Sequence, residues 1–201
     1  MIPGIVLAAG NSSRMGRPKA LLPADSDGES FLARMIRILI EGGIEDVVVV
    51  LGRDADLIRA AVPDAARPVR YVDNPAYEDG QLSSILVGLA AVERPDVRAV
   101  MVTPVDLPLL EAGTVRTVLA AYRAAGGAAI VRPATQGRHG HPVIFDRRLF
   151  QALRDADPNV GARAVVLAHL AEVVNVDVSD DGAFIDVDTP ADYARYVMPR
   201  T

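Results

Sequence analysis

The feature that most constrains the fold is an unbroken apolar run at residues 46–51 (DVVVVL), where five apolar residues follow Asp46 without polar interruption. A strand with one face in water alternates apolar and polar residues, whereas a strand covered on both faces does not. The run therefore predicts a parallel strand inside a sheet with helices on both sides. Residues 4–9 (GIVLAA) have the same character and predict a second buried strand.

Strand-like runs alternate with helical patterns along the first 125 residues. Further strands are predicted at residues 69–72 and 99–102, and helices at residues 31–41, 54–61, 82–92 and 114–125. This βα alternation is typical of a doubly wound α/β fold. We predict one domain, residues 1–201, built as a three-layer sandwich around a mostly parallel, dinucleotide-binding-like sheet.

The regular alternation of strands and helices ends at Gly126 and Gly127. Strands are predicted at residues 128–131, 142–145, 173–178 and 184–187, helices at residues 148–155 and 162–169, and a glycine-rich loop at residues 136–140. Thr189 and Pro190 predict the start of a last helix, because Thr is a good N-cap and Pro suits the first helical position.

Composition excludes several classes of protein. The net charge of -5 and the pI of about 5.2 argue against a nucleic-acid surface, which needs clustered basic residues. The absence of cysteine excludes disulfides and thiolate metal sites. No signal peptide and no apolar stretch of about 18 residues is present, so we expect a cytoplasmic protein without a membrane span.

The loop at residues 10–19 (GNSSRMGRPK) directly follows the first predicted strand. Ligands of open α/β sheets bind beyond the carboxyl ends of the strands, and glycine-rich loops there present N–H groups to phosphate oxygens. Arg14 and Lys19, the sole lysine among 21 basic residues, add positive charge. The spacing fits neither the Walker loop nor the GxGxxG fingerprint. An ordinary surface loop is the alternative.

A resemblance to a known family becomes visible at this loop. Residues 7–16 (LAAGNSSRMG), followed by Lys19, resemble the signature of MobA-like nucleotidyltransferases, whose fold is that of the nucleotide-diphospho-sugar transferases. The resemblance extends in four ordered blocks from Leu7 to Tyr193. It implies that Lys19 and Arg14 neutralise a nucleoside triphosphate as catalytic residues. The nucleotide-binding residues that it implies in the signature are Leu7, Ala8, Ala9, Gly10, Ser12, Ser13 and Gly16.

Two aspartates are candidate ligands of Mg²⁺. Asp106 lies in TPVDLP, just after a predicted strand, and Mg²⁺ in phosphate-transfer sites usually takes one or two carboxylates. If residues 184–187 form a strand, Asp186 and Asp188 lie on one side of it. The resemblance implies Asp188 as the second ligand, with Asp186 outside the coordination sphere. The alternatives are turn-capping for Asp106 and support of a helix N-terminus for Asp188.

The remaining blocks are implied to face the nucleoside and the acceptor. Asn74, Gly80, Ser83 and Ser84 resemble the family segment that faces the base and sugar, although the serines alone favour first-turn helix positions. Arg138, Gly140 and His141 lie in GRHGHP, which resembles the molybdenum cofactor cytidylyltransferase subgroup on its second-substrate side. A transition-metal site at His139 and His141 is disfavoured, because further ligands are missing.

The implied reaction is magnesium-dependent transfer of a nucleoside monophosphate, with release of pyrophosphate. The start LAAG and the later GHP favour CTP as donor and molybdopterin as acceptor. Guanylyl transfer or a sugar-phosphate acceptor is the first alternative. The second is a non-catalytic module that binds the cofactor or delivers it to a molybdenum enzyme, which would then be its protein partner. A nicotinamide dehydrogenase is disfavoured by the missing GxGxxG.

Overall fold

The fold is organised around a sheet, seen in a computed structural model that describes residues 1–62 and 69–198. Its strands are β1 (Gly4–Ala8), β2 (Val47–Leu51), β3 (Val69–Asp73), β4 (Ala99–Pro104), β5 (Ile130–Thr135), β6 (Arg138–His139), β7 (Val143–Asp146) and β8 (Val173–Asp177). They form one eight-stranded sheet in the order β3-β2-β1-β4-β7-β5-β6, with β8 paired to β5.

The helices lie between the strands, close to where the sequence predicts them. They are α1 (Phe31–Glu41), α2 (Ala55–Ala61), α3 (Gln81–Val92), α4 (Ala112–Ala124), α5 (Phe150–Arg154), α6 (Ala162–Ala168) and α7 (Pro190–Tyr196). Short 3-10 turns occur at Lys19–Leu21, Tyr77–Asp79, Arg147–Leu149, Leu170–Glu172 and Asp181–Phe184. Thr189 and Asp192 form a capping box at the start of α7, with Pro190 inside the first turn, which confirms the predicted helix start.

The sheet is mostly parallel, as predicted. β3, β2, β1 and β4 run parallel, β7 is antiparallel to β4, and β5 is antiparallel to β7. The chain leaves β1 toward β2 on one side, and β4 lies on the other side. Such a reversal of strand order opens a crevice beyond the carboxyl ends of the central strands.

Two apolar layers cover the faces of the sheet. All five residues of β2 are fully buried: Val47, Val49 and Leu51 belong to one cluster with α1 and α4, whereas Val48 and Val50 belong to another with α3, α5 and α6. The alternation of side chains along a strand sends successive residues to opposite faces, so a strand with helices on both sides must be apolar throughout. The three-layer α/β prediction is confirmed.

Two local predictions are wrong. The predicted strand at residues 184–187 is not part of the sheet, because residues 181–184 form a 3-10 turn and the chain then crosses the end of the sheet in an unpaired extended form. The predicted loop at residues 136–140 contains β6, which pairs with β5 across a two-residue turn. Gln136 and Gly137 both have positive φ there, as a type I′ hairpin requires.

Within residues 1–62 and 69–198, no helix is both long and apolar enough to cross a bilayer.

Gly88 sets the distance between α3 and the sheet. A Cβ at this position would lie 2.4 Å from Cγ2 of Ile5 and 3.1 Å from Cγ2 of Val50. We expect Gly88→Ala to lower the free energy of unfolding by about 1–3 kcal/mol through overpacking, measured by urea denaturation. The matched control is Gly113→Ala in α4, where no atom lies within 4 Å of the added Cβ. That change is expected to raise stability by roughly 0.5–1 kcal/mol through helix propensity, and equal effects of the two changes would contradict the packing argument.

Candidate active site

A cleft of about 360 Å³ lies at the carboxyl ends of β1 and β4, in the crevice that the strand order creates. Most residues predicted to act on the nucleotide line it: Leu7, Ala8, Ala9, Gly10, Ser12, Ser13, Arg14, Lys19, Gly80, Ser84, Asp106 and Asp188. The structure therefore gathers four separate blocks of the sequence at one place.

The loop at residues 10–19 is held in shape by its own polar groups. The Ser12 hydroxyl accepts a hydrogen bond from the backbone N–H of Lys19 at 3.0 Å, and Ser12 has a positive φ of 47°. Gly16 also has positive φ, at 69°, which explains a glycine there, and it lies outside the cleft lining. Gly10 is exposed at the cleft, with no atom near the position of a Cβ. Ser12 and Gly16 thus shape the loop, while Gly10 leaves open space at the cleft.

Lys19 is the electrostatic centre of the cleft. Its Nζ lies 3.0 Å from Oδ2 of Asp106 and 2.5 Å from Oδ1 of Asp188, while Nη2 of Arg14 lies 3.0 Å from Oδ2 of Asp188. The Lys19 side chain is 13% exposed, whereas that of Arg14 is 65% exposed. The two cations predicted to bind phosphate and the two carboxylates predicted to bind metal are therefore paired with one another.

The titration of this group follows from those contacts. Burial lowers the pKa of Lys19, but the charges and hydrogen bonds of Asp106 and Asp188 outweigh burial, so its pKa lies above the ordinary value. The hydrogen bond from Lys19, followed by the charges of Lys19 and Arg14, lowers the pKa of Asp188 despite partial burial. Lys19 therefore remains an ammonium and Asp188 a carboxylate at neutral pH.

Asp106 and Asp188 reach this point from different segments. Asp106 follows the end of β4, and Asp188 ends the crossing segment, the name used below for residues 180–188. The backbone N–H of Val187 donates to the carbonyl of Asp106 at 2.8 Å, so the crossing segment runs directly against the turn that carries Asp106. This contact, rather than pairing in the sheet, brings Asp188 into the cleft.

Asp186 stands beside the two paired carboxylates. Although the residue as a whole is exposed, atoms packed around its carboxyl group raise its pKa, and the negative charges of Asp106 and Asp188 raise it further. It has no hydrogen bond or ion pair in the described part of the chain. Asp186 is therefore a third, uncompensated acid at the edge of the cleft.

The donor set suits a divalent cation with oxygen preference. Two carboxylates from separate segments already converge on one positively charged atom, Nζ of Lys19. Across residues 1–62 and 69–198, no cluster of three or more His, Asp or Glu side chains has metal-binding geometry. The protein would thus supply two carboxylates at most, and phosphate and water oxygens would complete the shell, which is the usual arrangement for Mg²⁺.

Asn74 and Ser83 lie outside the cleft lining but belong to the hydrogen-bonded turn that carries Ser84, which does line it. Asn74 is 2% exposed, and its amide donates to the hydroxyls of Ser83 and Ser84 at 2.8 and 3.0 Å. Its Oδ1 accepts from the N–H of Ala76 at 3.0 Å. With all these partners satisfied internally, Asn74 fixes the turn between β3 and α3, and Ser84 remains at the cleft surface.

The predicted acceptor residues also lie outside the cleft lining and contact the crossing segment. Arg138 donates to Asp181 at 3.0 Å and lies 5.0 Å from the ring centre of Phe184. A Cβ on Gly140 would lie 2.2 Å from the carbonyl oxygen of Ala183, so this glycine permits close packing. Their observed contacts thus hold the crossing segment in place.

His141 is partly exposed and lies near Asp106, with its ring largely packed against the protein. Burial lowers the pKa of His141, which the backbone of Val102 and the charge of Asp106 partly oppose. Its Nδ1 is buried without a hydrogen-bond partner in the described residues. The backbone N–H of His141 donates to Ala183 at 3.0 Å, so this residue too contacts the crossing segment.

Sequence reasoning missed several cleft residues. They are Asn11, Pro18, Ala20, Asp54, Ile58, Tyr77, Gln81, Pro104 and Val105. Tyr77 and Gln81 lie inside the block that already suggested the nucleoside site, so their neighbours offered a signal. Asp54 follows β2, which neighbours β1, and the rule that ligands bind at carboxyl ends of strands points to it as well.

The chain belongs to the MobA-like NTP transferase family, whose domain matches residues 4–173. A probable molybdenum cofactor guanylyltransferase of Opitutus terrae is 34% identical over 129 residues, which is 64% of this chain and 59% of that relative. The chain thus matches well under two thirds of the relative's length.

Solved structures agree with this fold. Rv0371c of Mycobacterium tuberculosis is 28% identical to this chain, and the two structures superpose over 100% of each chain with a TM-score of 0.81. A complex of Rv0371c with manganese gives a TM-score of 0.74 at 28% identity, covering 98% of this chain and 97% of that one.

Asp186 makes the stability of the protein depend on pH. An acid whose pKa is raised by folding destabilises the protein where it is ionised, above its ordinary pKa of 3.8, and the penalty disappears below that pH. We expect Asp186→Asn to raise the melting temperature by about 1–3 °C at neutral pH in metal-free buffer, and to leave it unchanged near pH 3. Calorimetry at the two pH values checks this, and an equal gain at both would show that charge is not the cause.

Proposed function

We propose that the protein transfers a nucleoside monophosphate from a nucleoside triphosphate to a phosphate-bearing acceptor. An oxygen of the acceptor phosphate attacks the α-phosphorus, a new P–O bond forms, the bond between the α-phosphorus and the bridging oxygen breaks, and pyrophosphate leaves. The observation that carries this proposal is the meeting of two cations and two carboxylates at the mouth of the crevice. The attacking oxygen is already an anion, so positioning and charge neutralisation suffice.

The four charged residues have complementary tasks. Lys19 and Arg14 hold the triphosphate and neutralise the charge that develops on pyrophosphate, while the N–H groups of the glycine-rich loop fix its orientation. Asp106 and Asp188 would hold Mg²⁺, which would supply Lewis-acid polarisation of the α-phosphate. The similar protein Rv0371c has been solved in complex with manganese, which supports the proposal that this chain binds a divalent cation.

Ligand binding then requires an exchange of partners. Lys19 and Arg14 form ion pairs with Asp106 and Asp188. The triphosphate would compete with the carboxylates for the two basic side chains, and Asp106 and Asp188 would then be available to hold a metal ion. Nucleotide and metal would therefore strengthen one another's binding. Nucleotide bound to the two cations frees the carboxylates for the metal, and metal bound to the carboxylates frees the cations for the nucleotide.

The nucleoside is expected on the side of the cleft formed by Tyr77, Gly80, Gln81 and Ser84, on the far side of the glycine-rich loop from Asp106. We propose CTP as the donor, on the resemblance of LAAG and GHP to the cytidylyltransferase subgroup. GTP is the second candidate, favoured by the name of the Opitutus terrae relative. A molybdopterin-type cofactor is the proposed acceptor with either nucleotide. Arg138, Gly140 and His141 are proposed to form the side of the site where this acceptor binds.

The test of this function is pyrophosphate release with CTP, GTP, ATP or UTP in the presence of Mg²⁺, with and without molybdenum-loaded molybdopterin. Release with CTP that needs both acceptor and Mg²⁺ supports the full proposal. Release with GTP instead keeps the reaction and overturns the choice of base. Nucleotide binding without release from any nucleotide would contradict the proposed transfer to this acceptor.

Lys19 carries the largest catalytic effect in this scheme. We expect Lys19→Ala to lower turnover roughly 10²- to 10³-fold, the scale observed when one charge-stabilising donor is lost. Arg37→Ala is the control, since Arg37 pairs with Glu29 and Glu41 outside the cleft lining and its loss leaves the proposed chemistry untouched. Steady-state pyrophosphate assays measure both variants. Near-normal turnover in Lys19→Ala would remove Lys19 from the mechanism.

A further inference from the structure

Asp180 joins the crossing segment to the start of α4. Its Oδ2 accepts hydrogen bonds from the N–H of Glu111 at 2.9 Å and from the hydroxyl of Thr114 at 2.7 Å. Its Oδ1 accepts from the N–H of Gly182 at 2.8 Å. One carboxylate therefore fixes the turn of its own segment and attaches that turn to the element that follows Asp106.

Two further contacts hold the same two segments together. A Cβ on Gly182 would lie 2.1 Å from the carbonyl oxygen of Leu109, so the backbones approach as closely as glycine allows. Val187 donates to the carbonyl of Asp106 at 2.8 Å. The crossing segment thus lies along residues 105–111, between Asp180 at one end and Asp188 at the other.

These contacts determine where the carboxylate of Asp188 stands relative to that of Asp106. The ion pairs with Lys19 and Arg14 are not enough to fix this spacing, because both cations must leave when ligands bind. The Asp188 side chain is also one third exposed, at 33%. Its position in the liganded protein must therefore come from the backbone of the crossing segment.

We propose that Asp180 is a positioning residue for the reaction, which holds Asp188 at the distance from Asp106 where both carboxylates bind one Mg²⁺. This inference rests on the proposed function, since it requires a metal ion at these two aspartates. Residues that orient metal ligands without touching the metal commonly change metal affinity about 10- to 100-fold when they are altered.

The test is the affinity for Mn²⁺, which takes the oxygen ligands of Mg²⁺ and is followed by electron paramagnetic resonance, in the presence of CTP and separately of GTP. We expect Asp180→Ala to weaken Mn²⁺ binding about 10- to 100-fold. Asp180→Asn keeps one oxygen that can accept a hydrogen bond. Its Mn²⁺ affinity is expected to lie between that of the unaltered protein and that of Asp180→Ala. At saturating metal, where the coupling between metal and nucleotide no longer affects the comparison, we also expect kcat to fall while KM for the nucleotide stays constant, because the glycine-rich loop is untouched.

The matched control is Asp146→Ala at the end of β7, where Asp146 pairs with Ala99 at the start of β4, away from the cleft. The carboxylate of Asp146 accepts hydrogen bonds from the Tyr122 hydroxyl at 2.6 Å and from the N–H of Arg148 at 3.0 Å. Its loss removes a comparable set of bonds away from the cleft. We expect lower stability with unchanged Mn²⁺ affinity, which separates positioning from general destabilisation.

Thr114→Val keeps the inference testable if Asp180→Ala fails to fold. This change removes one of the three hydrogen bonds to Asp180 at a buried site of nearly the same shape, and a smaller loss of Mn²⁺ affinity is expected. Wild-type affinity in the folded Asp180 and Thr114 variants would overturn the positioning role and leave the proposed function intact. Failure of the unaltered protein to bind Mn²⁺ with either nucleotide would overturn both.

Discussion

The ammonium of Lys19 is the interaction on which the candidate site depends. It lies between Asp106 and Asp188, which would otherwise repel one another and the neighbouring Asp186 across a partly buried cleft. Burying one cation among carboxylates costs desolvation, which the paired charges offset, as the raised pKa of Lys19 indicates. The charges of Lys19, Arg14, Asp106 and Asp188 are consequently paired within the cleft.

The buried strands of the sheet determine where this cation lies. β1, β2 and β4 are buried on both faces, so their order and register are fixed by the two packed layers of helices. The glycine-rich loop then begins at the end of β1, and Asp106 follows β4, on neighbouring strands. The crossing segment closes the arrangement through backbone contacts that two glycines, Gly140 and Gly182, make sterically possible.

The sequence predicts the sheet and the helices well, because unbroken apolar runs such as β2 have few alternatives. It fails at residues 184–187, where local strand propensity is overridden by contacts with the turn at Asp106 that no local pattern encodes. For the same reason Asn74 and Arg138 could be linked to the site from sequence, but their supporting contacts could not. Motif matching identifies which residues gather, whereas tertiary packing decides which of them face the cleft.

The exchange of partners at Lys19 is tested most directly by the coupling between metal and nucleotide. Mn²⁺ binding to the unaltered protein and to Lys19→Met is measured with and without CTP, so that binding of Mn²⁺ to the free nucleotide affects both proteins equally. The account predicts that Lys19→Met binds Mn²⁺ alone more tightly than the unaltered protein does. It also predicts that CTP enhances Mn²⁺ affinity more strongly in the unaltered protein, by a factor of about 5 or more. Equal Mn²⁺ affinity and equal enhancement in the two proteins would contradict it.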